Sequence, residues 1–243
     1  MVISSFKQEI QVSIPSLIFK PTLENYQEVI SETFFRSLKN SLVVTLGTVF
    51  VTTFLAVPAS YALVYSPIRS PNGVYFWFVS TTFLPAIAVI IPVFILFQRI
   101  RMIDNPIALI LLYSGAGIPM MIWLITNFFK EIPHDIIDAT KIDGCSRWQT
   151  FYAVMLPLVR NGIVSAAFLV FIITWNEFFF AITITYTEST TLAVYMSKYM
   201  TQQGYFWGKM SATGTLIVII PIVLGFSAQK SLVKGLTSGS VKG

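Results

Sequence analysis

Charge is the first thing this chain lacks. Only 11% of its 243 residues are Asp, Glu, Lys or Arg, against roughly 25% in ordinary soluble domains. So little charge cannot clothe a water-facing fold of this length. The 16 basic residues exceed the 11 acidic ones by five, yet they are scattered, without the basic cluster that nucleic-acid binding needs. Cysteine is nearly missing as well: Cys145 stands alone, which excludes an internal disulfide. His134 is the sole histidine and has no partners in sequence for a metal set or an acid–base pair. A membrane-embedded enzyme would need such a cluster. There is no Gly-x-x-x-x-Gly-Lys-Ser/Thr phosphate loop, so this chain carries no ATP site of that kind. The first ten residues, MVISSFKQEI, also lack the apolar run of a cleavable signal.

What is abundant is hydrocarbon. Hydrophobic residues make up 55% of the chain, and several runs reach the length of about 20 apolar residues that a bilayer crossing requires. The expected fold class is all-α, a polytopic membrane helix bundle. Five spans can be drawn, at 41–65, 74–98, 106–129, 161–185 and 211–229. Each is apolar on all sides, as expected of helices in lipid. Pro58, Pro85, Pro92, Pro119 and Pro221, with Gly115 and Gly117, fall inside them. Bundles tolerate such breakers because neighbouring helices and hydroxyl side chains satisfy the freed backbone groups. They read either as packing kinks or as the broken helices of a pathway.

The positive-inside rule leans one way. The connections holding Arg69, Lys130, Lys141, Arg147, Arg160, Lys230, Lys234 and Lys242 carry eight basic residues. The opposite side has six close to spans: Arg36, Lys39, Arg99, Arg101, Lys198 and Lys209. That places the 130–158 loop and the C-terminus in the cytoplasm. Five spans then put the N-terminus outside, and residues 1–35 form a polar extracytoplasmic segment ahead of the membrane domain, 36–243. An upstream spanning helix, giving six in all, is expected to precede Met1.

The loop at 130–158 is the longest charged interruption between spans. After Pro133, a residue suited to a helix start, the sequence predicts a short helix over 134–143. Ile136, Ala139, Thr140 and Asp143 fall at i, i+3, i+4 and i+7 and share one face; Asp138 and Lys141 point elsewhere. Gly144 can take positive φ and stop that helix. A second helix over 147–155 leads through Pro157 into the next span. The short helix fits either a groove on a partner or a place on its own bundle.

At these residues the chain resembles a known family. IPHDIIDATKIDGCSRWQTFYAVMLPL is similar to the cytoplasmic "EAA" loop of binding-protein-dependent ABC importer permeases. Asp138, Ala139 and Thr140 stand at the Glu-Ala-Ala positions, Gly144 is the glycine, and Met155-Leu156-Pro157 closes the motif. Asp for Glu and Thr for Ala are departures; the shorter Asp138 alters any salt bridge to the ATPase subunit. PTLENYQEVI at 21–30, LKNSLVV at 38–44, SYAL at 60–63, WNEF at 175–178 and the ending KGLTSGSVKG resemble the sugar-importer permeases of the maltose G-subunit type.

That resemblance implies a type I ABC importer transmembrane fold in a bacterial inner membrane. It implies a second permease subunit, two cytosolic ATP-binding subunits that hold the ATP and Mg, an extracytoplasmic solute-binding protein, and a sugar as substrate. No cofactor is expected in this chain. Ile136, Asp138, Ala139, Thr140, Asp143 and Gly144 become the expected ATPase-coupling residues, and the tail at 235–243 either reaches the ATPase or frays. Asn176 lies 15 residues into its span, roughly 22 Å along a helix. With Glu177 beside it, Asn176 either lines the substrate route or bonds a neighbouring helix. A permease for a non-sugar solute such as glycerol phosphate is the nearest alternative. A secondary transporter would need ionisable residues at several span centres and usually an inverted repeat; Glu177 alone qualifies, and no repeat is visible.

Overall fold

An apolar chain in lipid has no water to bond its backbone, so its N–H and C=O groups must pair internally. Helices do this here. The structure, a computed structural model, describes residues 1–16, 18–202 and 204–237, with side chains described through Gln229. In chain order the helices are α1 (Val2–Ser5), α2 (Glu9–Val12), α3 (Glu24–Val29), α4 (Glu32–Tyr65), α5 (Pro71–Thr81), α6 (Ala86–Arg99), α7 (Pro106–Lys130), α8 (His134–Ile142), α9 (Arg147–Gln149), α10 (Leu156–Trp175), α11 (Phe179–Ile184), α12 (Leu192–Ser197) and α13 (Trp207–Thr237). A π-helical segment, Thr150–Met155, joins α9 to α10. A two-stranded antiparallel hairpin, β1 (Met200–Thr201) with β2 (Gly204–Tyr205), precedes α13.

Among the described residues, four helices are long and apolar enough to cross a membrane: Glu32–Tyr65, Pro106–Lys130, Arg147–Trp175 and Trp207–Gln229. The second expected span, 74–98, is not one helix. It is α5 and α6, bent by 87° at residues 82–85. Pro85 explains the break: it lacks an N–H, and a proline ring disfavours the helical region for the residue before it. The fourth expected span, 161–185, is corrected as well. Its helix begins at Arg147 and stops at Trp175; three non-helical residues follow before α11.

The chain forms two compact units. One comprises, among the described residues, 46–89, 110–174 and 227–237. Its core brings together Ala56, Val57 and Leu63 of α4, Met121, Ile122, Ile125 and Phe129 of α7, Ile137 of α8, and Phe151, Met155, Val159, Ala166 and Val170 of the helix leading to Trp175. Among helices in lipid the hydrophobic effect drops out and close packing takes over. Gly162 shows this. A Cβ there would lie 2.5 Å from the Phe128 ring, so only glycine lets the ring sit against the backbone. The outward face stays apolar, with Phe50 70%, Phe83 81% and Ile87 73% exposed. In water such a surface would aggregate; in a bilayer it is solvated.

The other unit comprises residues 1–45, 90–109 and 175–226. Residues 1–31 fold here through polar contacts. The Asn25 amide donates to the carbonyls of Ser5 (2.9 Å) and Lys7 (2.7 Å). The Glu9 carboxylate accepts the Gly208 N–H at 3.0 and 3.1 Å, at the start of α13. Tyr195 of α12 donates its hydroxyl to the Val29 carbonyl at 2.7 Å.

Candidate coupling site

Helix α8 is built by its ends. Pro133, extended at φ −58° and ψ 138°, precedes it, and Asp135 sits in the first turn, where a carboxylate favours the positive end of the helix dipole. At the other end Gly144 takes φ +73°. The Cys145 N–H then bonds back to the Thr140 carbonyl at 2.9 Å and the Gly144 N–H to Lys141 at 3.1 Å. This is a Schellman-type stop, which a residue with a Cβ would strain. Immediately afterwards Ser146 and Gln149 form a reciprocal capping box: the Gln149 N–H donates to Ser146 Oγ at 3.3 Å, and the Ser146 N–H donates to Gln149 Oε1 at 2.7 Å. One helix is closed and the next opened within three residues.

The inner face of α8 is held by Ile137 and Thr140, both buried. Thr150 donates its hydroxyl to Thr140 Oγ1 at 3.1 Å, and Thr140 donates onward to the Ile137 carbonyl at 2.8 Å. Thr140 therefore faces its own bundle, and the residues expected to share its face divide: Ala139 and Asp143 are exposed and Ile136 is half-buried. The exposed face is Asp135, Asp138, Ala139 and Ile142, with Ile136 half-buried and Asp143 and Gly144 exposed beside it. These four also follow an i, i+3, i+4, i+7 spacing. Ile142 is 86% exposed and Trp148, within the capping box, 68%. Asp138 accepts a hydrogen bond from Lys141 at 2.8 Å, both side chains remaining open to solvent. That bond and the Lys141 charge hold the Asp138 carboxyl below the usual carboxylate range.

Between α8 and the end of α4 lies a cavity of about 560 Å³. Tyr61, Tyr65, His134, Lys141, Cys145 and Arg147 are among the residues lining it.

Asn176 and Glu177 lie in the break after Trp175 rather than inside a continuous helix. The Glu177 carboxylate accepts the N–H groups of Phe180 (3.0 Å) and Ala181 (3.2 Å), capping α11. Asn176 is exposed beside it. Of the tail at 235–243, residues 238–243 lie outside the described part of the chain.

One residue escaped sequence reasoning. Asp104, at φ +57°, sits just before α7. Its carboxylate accepts the backbone N–H groups of Tyr186, Thr187, Glu188 and Ser189 at 3.0–3.1 Å. The only local signal was an Asp ahead of Asn105-Pro106, a common turn composition.

Helices long and apolar enough to cross a membrane, with one short braced helix whose exposed face is mixed acidic and apolar, fit the transmembrane component of a membrane complex. The chain belongs to the family of binding-protein-dependent transport system inner membrane components, whose model matches residues 38–238. It is 36% identical over its whole length to a probable ABC transporter permease protein of Sinorhizobium fredii, covering 88% of that relative. It is 33% identical to the trehalose transport system permease protein SugB of Mycobacterium tuberculosis, over 95% of this chain and 84% of that one. Its fold matches that of a chain in the crystal structure of a bacterial ABC transporter involved in import of the acidic polysaccharide alginate. The TM-score is 0.77 at 22% identity, covering 94% of this chain and 87% of the other. The chain is thus a multi-pass permease component of an ABC importer with the type I transmembrane fold, a system that also comprises ATP-binding subunits and a solute-binding protein.

Proposed function

We propose that this permease moves a sugar or oligosaccharide inward, and that α8 is the element through which cytosolic ATPase subunits drive it. The observation that carries the coupling reading is the construction of α8. It is a nine-residue helix stopped by Gly144 and braced from behind by Thr140 and Thr150, with Asp135, Asp138, Ala139 and Ile142 left free for a partner's groove. In this reading the 130–158 loop and the C-terminus are cytoplasmic, and ATP with Mg binds to the partner subunits, which carry out hydrolysis. A second, non-identical permease subunit completes the pathway. Closure of the ATPase pair displaces α8 and switches the bundle between inward- and outward-facing states. Asn176 is assigned to the substrate route, and Glu177 to holding open the break that exposes it.

The sugar assignment rests on likeness to a trehalose permease along 95% of this chain and on the SYAL and WNEF stretches of the maltose G-subunit type. Its test is the ligand of the solute-binding protein encoded alongside: a bound sugar supports it, a bound amino acid or metal overturns it. The coupling test uses Gly144→Pro and Asp138→Lys. Proline cannot adopt φ +73°, and lysine reverses the charge of the exposed face. Both variants insert into the membrane but lose ATP-driven uptake; wild-type uptake in both would remove α8 as the transmission.

A further inference from the structure

We infer that Tyr65 and Tyr61, near the end of α4, are the positioning residues that make the loop helix and the spans move as one body. This inference rests on the coupling role proposed for α8 and names the contacts through which its displacement reaches α4.

One stretch of α4 touches every element that frames the loop. The Tyr65 hydroxyl donates to the Phe129 carbonyl at 2.5 Å, at the end of α7. The same carbonyl also accepts the Ile132 N–H at 3.2 Å as the chain leaves the helix. The Tyr65 ring meets the ring of His134, first residue of α8, edge to face at 5.7 Å. Tyr61 packs on Phe129 at 5.7 Å, on Phe151 of the π-helical segment at 5.0 Å and on Tyr65 at 5.3 Å. Ser60 donates its hydroxyl to the Ile122 carbonyl of α7 at 3.4 Å. The far side is closed by the Thr140–Thr150 hydrogen bond. Phe129 is fully buried and Phe151 nearly so. A push on α8 therefore meets closely packed rings instead of slack loop, and close-packed groups transmit strain rather than absorb it.

The two tyrosines divide the work. Tyr65 contributes both a ring and a hydroxyl that ties α4 to α7. Tyr61 contributes its ring, and its hydroxyl has no hydrogen-bond partner among the described residues. Replacing Tyr65 by Phe leaves no orphaned carbonyl, because Ile132 still donates to Phe129. That substitution thus removes the tie without unfolding the site.

The test is ATP hydrolysed per solute transported, measured on the complete transporter in liposomes with its solute-binding protein. For Tyr65→Phe the ratio rises ~5-fold, the factor an ordinary hydrogen bond is worth, while assembly and basal ATP hydrolysis stay at wild-type levels. Tyr61→Phe leaves the ratio unchanged and Tyr61→Ala raises it. The inference is overturned if Tyr65→Phe keeps the wild-type ratio. It is equally overturned if uptake, hydrolysis and assembly fall in one proportion, which is plain destabilisation. Gly144→Pro, measured in parallel, separates the two ideas. Uncoupling by Gly144→Pro with a normal Tyr65→Phe removes only the tyrosine link, whereas normal transport in both removes the coupling role of α8 itself.

Discussion

Replacing Asp104 by Asn isolates one carboxylate and its four backbone donors. Burial alone would raise the Asp104 pKa, but the N–H groups of Glu188, Tyr186, Ser189 and Thr187 outweigh it and bring the value down to about 2 from the usual 3.8. At ~1.4 kcal/mol per pH unit that fall corresponds to roughly 2.5 kcal/mol; solvent screening of a half-exposed group reduces it to ~1 kcal/mol. The sign follows from the direction. A lowered folded-state pKa gives stabilisation that is complete above about pH 4 and is lost as pH falls toward 2. Asn is the informative substitution because it tolerates the positive φ of this position, so backbone strain stays constant. Its amide nitrogen, however, turns a donor toward groups that are themselves donors. Hydrogen exchange of the Tyr186–Ser189 amides, in detergent or nanodiscs, should quicken about 5-fold at neutral pH, the population change that ~1 kcal/mol produces. Wild-type protection of those amides in Asp104→Asn would refute the idea that this carboxylate holds the turn.

Two further tests address the loop and the break. With Cys145 replaced by Ser, Ile142→Cys should react readily with a maleimide in vesicles lacking the ATPase subunits and be shielded when they are present. Equal labelling in both cases would mean that the exposed face of α8 does not dock them. At the break, Glu177→Gln keeps one acceptor for two donors and should cost ~1 kcal/mol of stability, as a weakened cap does. Asn176→Ala should lower uptake at unchanged thermal stability. Loss of uptake in Glu177→Gln at an unchanged melting temperature would put the carboxylate on the route and contradict its capping role.

Composition was enough to read the membrane class, because scarcity of charge is a property of the whole chain. The end of α8 was also readable, since Gly144 is the one residue there that reaches φ +73° without strain. The miscalculated parts share a cause. A hydropathy window averages composition and carries no direction, so the 87° bend at 82–85 and the stop at Trp175 were absorbed into uniform spans. Pro85 was in view, but a proline specifies a lost N–H and leaves the bend angle to tertiary context. Periodicity defined the faces of α8 without saying which one turns inward. That was decided by Thr150, ten residues further on. Asp104 and the folded segment at 1–31 depend on partners 82–85 and up to 199 positions away. No local pattern encodes contacts at that separation.

The size of α8 explains why its bracing matters. A helix of nine residues is too short to be stable alone in water, where nucleation outweighs the few bonds gained. Its shape must come from what it is attached to. The Schellman-type stop, the Thr140–Thr150 hydrogen bond and the edge-to-face contact of His134 with Tyr65 supply that attachment. The same attachments decide what a partner can do with the helix. A freely hinged stub would rotate under load and dissipate it, whereas one joined at both ends and along its back can only carry its neighbours along. That constraint is what the coupling role proposed for α8 requires of it.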